Sequence, residues 1–289
     1  RQLLGSDGNS AIKISAFYRE MRDMMQTVSI VEAYPLTYVT YGNQDFGTVK
    51  GFTFSYDLRR TKRLTMNANY TLQFANGSGS GPNSGANLAA SGQPNLRYIL
   101  PLDYDSRHQI VVSLDYRFSG GKFYKGPSTT TKKGKTINWL ENFGVNFVVN
   151  ANSGTPYSRR VRAYPLTSGA SSVPLVGQVN GSRLPWQFRI DMTVNKVFNY
   201  SYGKDGRKNG SIEVYLQCLN LLDAKNVLGV YPYTGSPEDD GYLTSPQGQQ
   251  AINFRTDAQS FADLYNVSMA NPGFYALPRR LRLGIRVGF

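Results

Sequence analysis

Leu64-Thr65-Met66-Asn67-Ala68-Asn69-Tyr70-Thr71-Leu72-Gln73-Phe74 carries an apolar residue at every even position and a polar one at every odd position. Successive side chains of an extended chain point to opposite faces, so this stretch is a strand with one apolar and one polar face. The same period recurs around it. Upstream, Ile12, Ile14, Ala16 and Tyr18 oppose Lys13, Ser15, Phe17 and Arg19, and Phe52, Phe54, Tyr56 and Leu58 oppose Thr53, Ser55, Asp57 and Arg59. Downstream come Ile110–Phe118, Phe143–Ala151, Phe188–Val194, Ile212–Cys218 and, at the chain end, Leu281–Phe289. The pattern predicts eight strands.

Two architectures produce such strands. A soluble sandwich or barrel turns the apolar face inward; a membrane barrel turns it to lipid and the polar face to the lumen. Connection lengths separate them. Arg60–Thr61, Ser119–Glu141 and Gly203–Gly210 are comparatively short, whereas the alternate connections Val31–Gly47, Gly77–Asp105, Arg159–Pro185 and Leu222–Phe274 are long. Shorter turns alternating with longer loops are the habit of outer-membrane barrels. Most runs also reach the 9–11 tilted residues, roughly, that cross a hydrocarbon layer. The predicted class is therefore all-β, a transmembrane antiparallel up-and-down β-barrel. Aromatics at run ends (Tyr18, Phe74, Phe118, Tyr157, Trp186, Phe198, Tyr200, Tyr202) fit interfacial girdles, although aromatic β-propensity accounts for part of them.

Composition narrows function. The 289 residues contain 29 Gly, 20 Tyr and 15 Phe, with 18% charged residues. No run approaches the 18 or so consecutive apolar residues of a membrane helix. One cysteine, Cys218, excludes an internal disulfide or a Cys-rich metal cluster, and one histidine, His108, excludes a multi-His metal site. No cofactor is expected. The chain opens at Arg1 without Met or a signal segment, which predicts a mature form or a piece of something longer.

Lys and Arg number 32 against 19 Asp and Glu, a formal charge of +13. Twelve of the basic residues lie in the shorter connections: Arg59, Arg60, Lys62 and Arg63; Lys122, Lys125, Lys132, Lys133 and Lys135; Lys204, Arg207 and Lys208. They read as solvated turns that keep hairpin ends out of the bilayer. Without base-stacking aromatics gathered in one groove, nucleic acid is not expected as a partner. The polar faces carry Lys13, Arg19, Asp57, Asp115, Arg117, Arg189, Asp191, Glu213, Arg282 and Arg286, a mixture suited to a lumen wall. Cross-strand partners are expected between Arg189/Asp191 and Glu213, and between Glu213 and Arg282.

Other segments read as structural. Gly77–Gly85 lacks the Lys-Ser/Thr ending of a phosphate loop and reads as a flexible loop. Glu238-Asp239-Asp240 is a solvated turn rather than an alternating calcium loop. Asp103 or Asp105 could orient His108, yet no nucleophile stands nearby, and an enzyme is not expected. Thr256-Asp257-Ala258-Gln259 is a capping-box pattern that predicts a short helix over about 257–265. Cys218 shares its face with Ile212, Val214 and Leu216 and reads as an inert apolar residue.

The chain ends Arg282-Leu-Gly284-Ile-Arg-Val287-Gly-Phe289, polar, glycine, apolar and terminal aromatic at the spacing of the outer-membrane assembly signal, with Val287 where an aromatic is usual. Four further segments occur in order: Asp103-Tyr-Asp-Ser-Arg-His108; Ala151-Asn-Ser-Gly-Thr-Pro-Tyr157; Val214-Tyr-Leu-Gln-Cys-Leu-Asn-Leu-Leu-Asp223-Ala-Lys-Asn226; and Asn271-Pro-Gly-Phe-Tyr-Ala-Leu-Pro-Arg-Arg280. With these the chain resembles the C-terminal barrel region of TonB-dependent outer-membrane transporters. The likeness is to the Bacteroidota type, which includes carboxypeptidase-regulatory-domain and starch-utilisation-like members. Asn220-Leu-Leu-Asp223 resembles the family's Asn-Leu-Phe-Asp, with Leu222 in place of Phe.

The resemblance implies a 22-strand barrel of which residues 1–289 would be the last third, with the plug domain and the TonB box outside this chain. It implies cell outer-membrane localisation and import of a large nutrient (glycan, peptide or metal chelate) by plug displacement driven through TonB. Implied partners are outer-membrane lipid, the protein's own plug, TonB, the barrel assembly machinery and a surface lipoprotein lid. The long loops would recognise substrate, with Tyr164, Trp186, Tyr231, Tyr233 and Tyr242 as candidate contacts. Asp57, Asp115, Arg117, Arg189, Asp191, Glu213, Arg282 and Arg286 would face lumen and plug, and Arg282, Gly284, Val287 and Phe289 would form the assembly signal. The alternatives are a self-contained eight-stranded barrel acting as adhesin or anchor, and a non-transporting scaffold within a larger envelope or secretion complex.

Overall fold

A computed structural model describes residues 2–4, 9–30, 35, 38–91, 98–132, 134, 136–168, 173–202 and 208–289. All eight predicted strands are present: β1 (Ser10–Ile30), β2 (Tyr38–Thr61), β3 (Leu64–Gly77), β4 (His108–Arg117), β5 (Phe143–Asn152), β6 (Gln187–Tyr202), β7 (Lys208–Leu219) and β8 (Arg280–Gly288). They form one antiparallel up-and-down sheet in chain order, with Gln2–Leu4 beside β1 and Leu100–Pro101 beside β3 as short additional members. β1 and β8 are not paired with each other, so the sheet is open.

The register keeps the two faces separate across the sheet. Phe54, Tyr70, Ile110, Ala151 and Phe188 stand opposite one another in turn from β2 to β6. On the other face Asp57 stands opposite Asn67, Asn67 opposite Ser113, and Ser113 opposite Val148. A one-residue slip in any pair would mix the faces, so the alternation in the sequence fixes the register.

The apolar face has no cover. Ile14, Phe52, Leu281, Leu283 and Ile285 are exposed, Leu283 by 76%. The accessible surface is 18977 Å². A monomeric globular protein of 32.1 kDa would expose about 12,300 Å². Deeply buried apolar residues gather instead under the long loops, among them Ala75, Ala89, Leu102, Val173 and Leu184. No helix among the described residues is long and apolar enough to cross a membrane, which leaves strand crossings open.

Several connections depart from expectation. β1 and β2 continue well past their alternating cores, so residues 38–47 are strand, and only 31–37, mostly outside the described residues, connect them. The extended hairpin survives because the β3–β4 loop packs on it: the Thr27 N–H and hydroxyl both donate to the Pro82 carbonyl at 2.8 Å. Gly77–Gly85 is therefore held against a strand rather than free. The β2–β3 turn falls on Lys62 and Arg63, not on Arg60 and Thr61, because Thr61 still pairs with Leu64. The connection Ser119–Glu141 is not tight; it carries a small hairpin of Ser128–Thr130 and Thr136–Asn138. Lys133, Lys135, Lys204 and Arg207 lie outside the described residues, as does the β6–β7 connection 203–207.

Among the described residues the loop end holds three α-helices: α1 (Ala86–Ala90), α2 (Pro246–Asn253) and α3 (Ala258–Met269). α3 is the predicted helix, longer by one turn. Asp257, not Thr256, is its N-cap, its carboxylate accepting from the Ser260 N–H at 2.9 Å. Asp257 has the extended backbone a cap requires, which shifts the cap one residue from the predicted box.

Candidate functional site

The polar face and the loop cluster above it make up the site. Thr53 and Thr71 hydroxyls lie 3.3 Å apart, and Asn67 donates to Asp57 and accepts from Asn69. Asp115 pairs with Arg117 at 3.5 Å, and Asp191 with Arg189 at 3.0 Å, each within its own strand. Glu213 accepts from Asn195 at 2.8 Å and from Arg286 at 2.7 Å.

That last pair corrects the expected one. Glu213 stands opposite Arg286, while Arg282 stands four residues away opposite Gln217. Glu213 faces Val197 on its other side, so Arg189 and Asp191 are not its partners. Sequence alone shows that a cation on β8 faces β7 but leaves the register open by four residues, because both spacings keep the faces correct. Tyr215 lies flat beside Gly284, where a Cβ would fall 2.4 Å from the ring. Arg286 sits over the same ring at 5.8 Å. Between these groups runs an open groove of about 360 Å³ bordered by Arg117, Thr193, Glu213, Tyr215 and Arg286. A second, of about 640 Å³, is bordered by Gln109, Asn150, Gln187, Arg189 and Leu277 nearer the loops. Guanidinium and carboxamide groups at such a wall can hydrogen-bond hydroxyls, carboxylates or a packed polypeptide.

The four segments quoted above become clasps at the roots of the loops. Ser153 joins two of them: its hydroxyl accepts from the His108 N–H at 3.0 Å and its carbonyl accepts from the Ser106 hydroxyl at 3.0 Å. Asp105 is 1% exposed and ion-paired with Arg183 and, at 3.6 Å, with Arg107; it also accepts from the Ala75 N–H at 2.8 Å. Arg183 Nη1 donates to the Asp105 carbonyl at 2.6 Å. The other two segments meet through Asn220 and Asp223. Asn220 Nδ2 donates to the Leu277 carbonyl at 3.2 Å, and Asp223 accepts from the Arg279 N–H at 2.8 Å.

The aromatic loop residues divide. Tyr231 is buried, donating to the Met269 carbonyl at 2.6 Å with Phe274 edge-on at 5.0 Å. Tyr242 is also buried, stacked on Tyr265 at 5.3 Å. Tyr164 is half-buried, and burial raises its hydroxyl above the ordinary value. Trp186, 56% exposed, and Tyr233 present open ring surface. Sequence does not distinguish the two sets, because all five occupy loops of similar composition.

His108 stacks between Tyr70 at 6.1 Å and Trp186 at 5.6 Å and shares a hydrogen bond with the Tyr70 hydroxyl at 2.9 Å. Asp105 is committed to Arg183, so no Asp–His pair forms. The acidic triplet is dispersed into turn contacts: Glu238 accepts from Tyr275, Asp239 from the Gly241 N–H, and Asp240 from the Tyr242 N–H and the Tyr265 hydroxyl. Among the described residues no group of three His, Cys, Asp or Glu could hold a metal. Cys218 is buried.

No protein-family model matches the chain, and no curated protein matches its sequence. Among solved structures it is similar to the outer membrane transporter YddB from Escherichia coli, with a TM-score of 0.46 and 12% identity over 78% of this chain and 28% of the transporter. The chain thus spans less than a third of that protein's length.

Proposed function

We propose that this chain is the C-terminal part of a TonB-dependent outer-membrane transporter that imports a large nutrient. The observation that carries the reading is the inverted sheet: an uncovered apolar face across eight strands, backed by a polar face of paired charges and amides. Lipid on one side and an aqueous lumen or folded plug on the other satisfy both faces. The open sheet favours a portion of a larger barrel over a small closed one, whose first and last strands would pair. Strands upstream of this portion would close the barrel, around a plug outside residues 1–289.

In this reading Asp57, Asp115, Arg117, Arg189, Asp191, Glu213, Arg282 and Arg286 line the path or hold the plug. TonB, energised by the inner-membrane proton gradient, displaces the plug once solute is bound. Trp186 and Tyr233 offer the open aromatic surface for a glycan or peptide, whereas Tyr231 and Tyr242 shape the loop beneath, with Tyr164 between the two sets. Gly284 and Phe289, with Arg282 and Val287, present the assembly signal to the barrel assembly machinery, and a surface lipoprotein lid would seat on the loop cluster.

Growth of cells with and without the full-length protein on glycans, peptides and iron chelates as sole nutrient sources tests this, each arm with and without TonB. The expected result is one nutrient class whose use needs both proteins. Equal growth in every arm would remove transport as the function.

A further inference from the structure

At the turn end of the sheet, a cationic pocket stands where the apolar face stops. Lys62 and Arg63 form the β2–β3 turn, Lys62 at φ 58°. Arg63 is folded back toward the apolar face rather than out into water. Its Cζ lies 4.4 Å from the centre of the buried Phe118 ring. Its Nη1 donates to the Tyr116 hydroxyl at 3.3 Å, and its Nη2 to the Lys125 carbonyl. Tyr116 and Phe118 continue the apolar stripe of β4, and Leu64 stands opposite Tyr116. The next connection brings Lys125 and Phe123 to the same place, the Phe123 ring 81% exposed. Together they border an open pocket of about 830 Å³.

The charge of this pocket is uncompensated. Among the described residues none of the ion pairs includes Lys62, Arg63 or Lys125. Glu141, the acid of that connection, is occupied by the Gly121 N–H at 2.5 Å and by Asn138 at 3.1 Å, contacts that hold its carboxyl below the usual range. Two exposed lysines and a guanidinium held on an aromatic ring thus border the pocket beside an exposed phenyl ring. A ligand that satisfies both halves carries a phosphate and an apolar tail: the phosphate meets Lys62, Arg63 and Lys125, and the tail runs along Leu64, Tyr116 and Phe123. Soluble phosphate would leave Phe123 in water.

We propose that this pocket binds the phosphate headgroup of an anionic glycerophospholipid in the leaflet at the turn end. The inference rests on reading the sheet as a membrane barrel. Each cation near a lipid surface is worth about a five-fold change in affinity, so replacing two should cost about twenty-five-fold.

Native mass spectrometry of the full-length protein tests it, with phosphatidylglycerol, phosphatidylcholine and glycerol 3-phosphate as probes. Phosphatidylglycerol should be retained in preference to phosphatidylcholine, and Lys62→Gln/Lys125→Gln should remove the preference while leaving phosphatidylcholine retention unchanged. Both lysines are exposed, so the variant keeps the fold; Arg63→Gln, which also gives up the Phe118 contact, is the second variant. Equal retention of phosphatidylglycerol by wild type and double variant overturns the site. Displacement of the lipid by an equal concentration of glycerol 3-phosphate makes it a free-phosphate site and overturns the lipid assignment. The same preparation is mixed with vesicles and its sheet assayed for protease protection. Insertion without lipid preference sinks the pocket alone, whereas failure to insert sinks the barrel reading and the pocket with it.

Discussion

The Asn226 side chain bonds both backbone groups of Phe188, accepting from its N–H at 2.7 Å and donating to its carbonyl at 2.8 Å. β7 has ended by then: its last partner along β6 is Cys218, opposite Met192. The Leu221 N–H still reaches the Ile190 carbonyl at 2.7 Å, and one rung further a carboxamide replaces the missing strand. The exposed rim of β6 is thereby completed by a side chain. Asn226→Ala leaves a donor and an acceptor of the backbone unpaired and should cost about 2 kcal/mol. A lowered urea midpoint of the detergent-solubilised protein measures it, with Asn226→Asp falling between because only its donor is lost.

Asp105 and Arg183 should be strongly coupled. Asp105→Ala strands the Arg183 guanidinium among carbonyls and should cost about 3 kcal/mol, the usual scale for breaking a buried pair. Arg183→Met in addition should cost little more. A double-mutant cycle giving a coupling under about 0.5 kcal/mol would contradict this account of the clasp.

At Gly154 a Cβ would fall 2.1 Å from the Leu184 carbonyl oxygen, which is backbone and cannot swing aside. Gly154→Ala should therefore loosen the β5–β6 loop at its root. Faster proteolysis between residues 159 and 185, with the strands still protected, is the expected reading.

The Tyr265 hydroxyl donates to Asp240 at 2.5 Å and is pushed well above its ordinary value of 10.0, first by burial and then by Asp240. The folded chain thus holds this proton more tightly than the unfolded one. The resulting stabilisation is complete below the unfolded value and is lost as pH rises through the folded one. Loop stability should fall above about pH 10, and Tyr265→Phe should make that fall shallower. Hydrogen exchange in α3 across that range tests it.

Alternation across the sheet gives a chemical test of its inversion. In a Cys218→Ala background and an outer-membrane preparation, Arg282→Cys should react with a water-soluble maleimide and Leu283→Cys should not. Equal reactivity would mean that both faces of β8 meet water.

How much of this was legible in the sequence depends on the range of the forces involved. Strand existence and facing were, because period two survives in Leu64–Phe74 and its seven counterparts whatever the tertiary context. Asp257 marked the start of α3 through local capping chemistry, to within a residue. The extension of β1 and β2 was not legible: residues 38–47 lose strict alternation, and their pairing depends on Pro82 and Leu102 from a loop distant in sequence. Nor was the choice of Arg286 over Arg282 for Glu213, since either register satisfies both faces. The clasps were visible as motifs but not as contacts. Asp105 and Arg183 are 78 positions apart, and nothing local in either segment names the other. Burial of Tyr231 and Tyr242 likewise depends on α3 and Phe274 folding over them.

The clasps sit at the bases of the excursions, not at their tips. Asp105–Arg183 and Ser153–His108 tie the bases of the β3–β4 and β5–β6 connections to each other, and Asn220–Leu277 closes the base of the β7–β8 connection. A tied base uncouples the rim of the sheet from the length of the loop: chain added beyond it raises the closure cost only logarithmically. The same sheet can in this way carry loops of different lengths between the same few stitches.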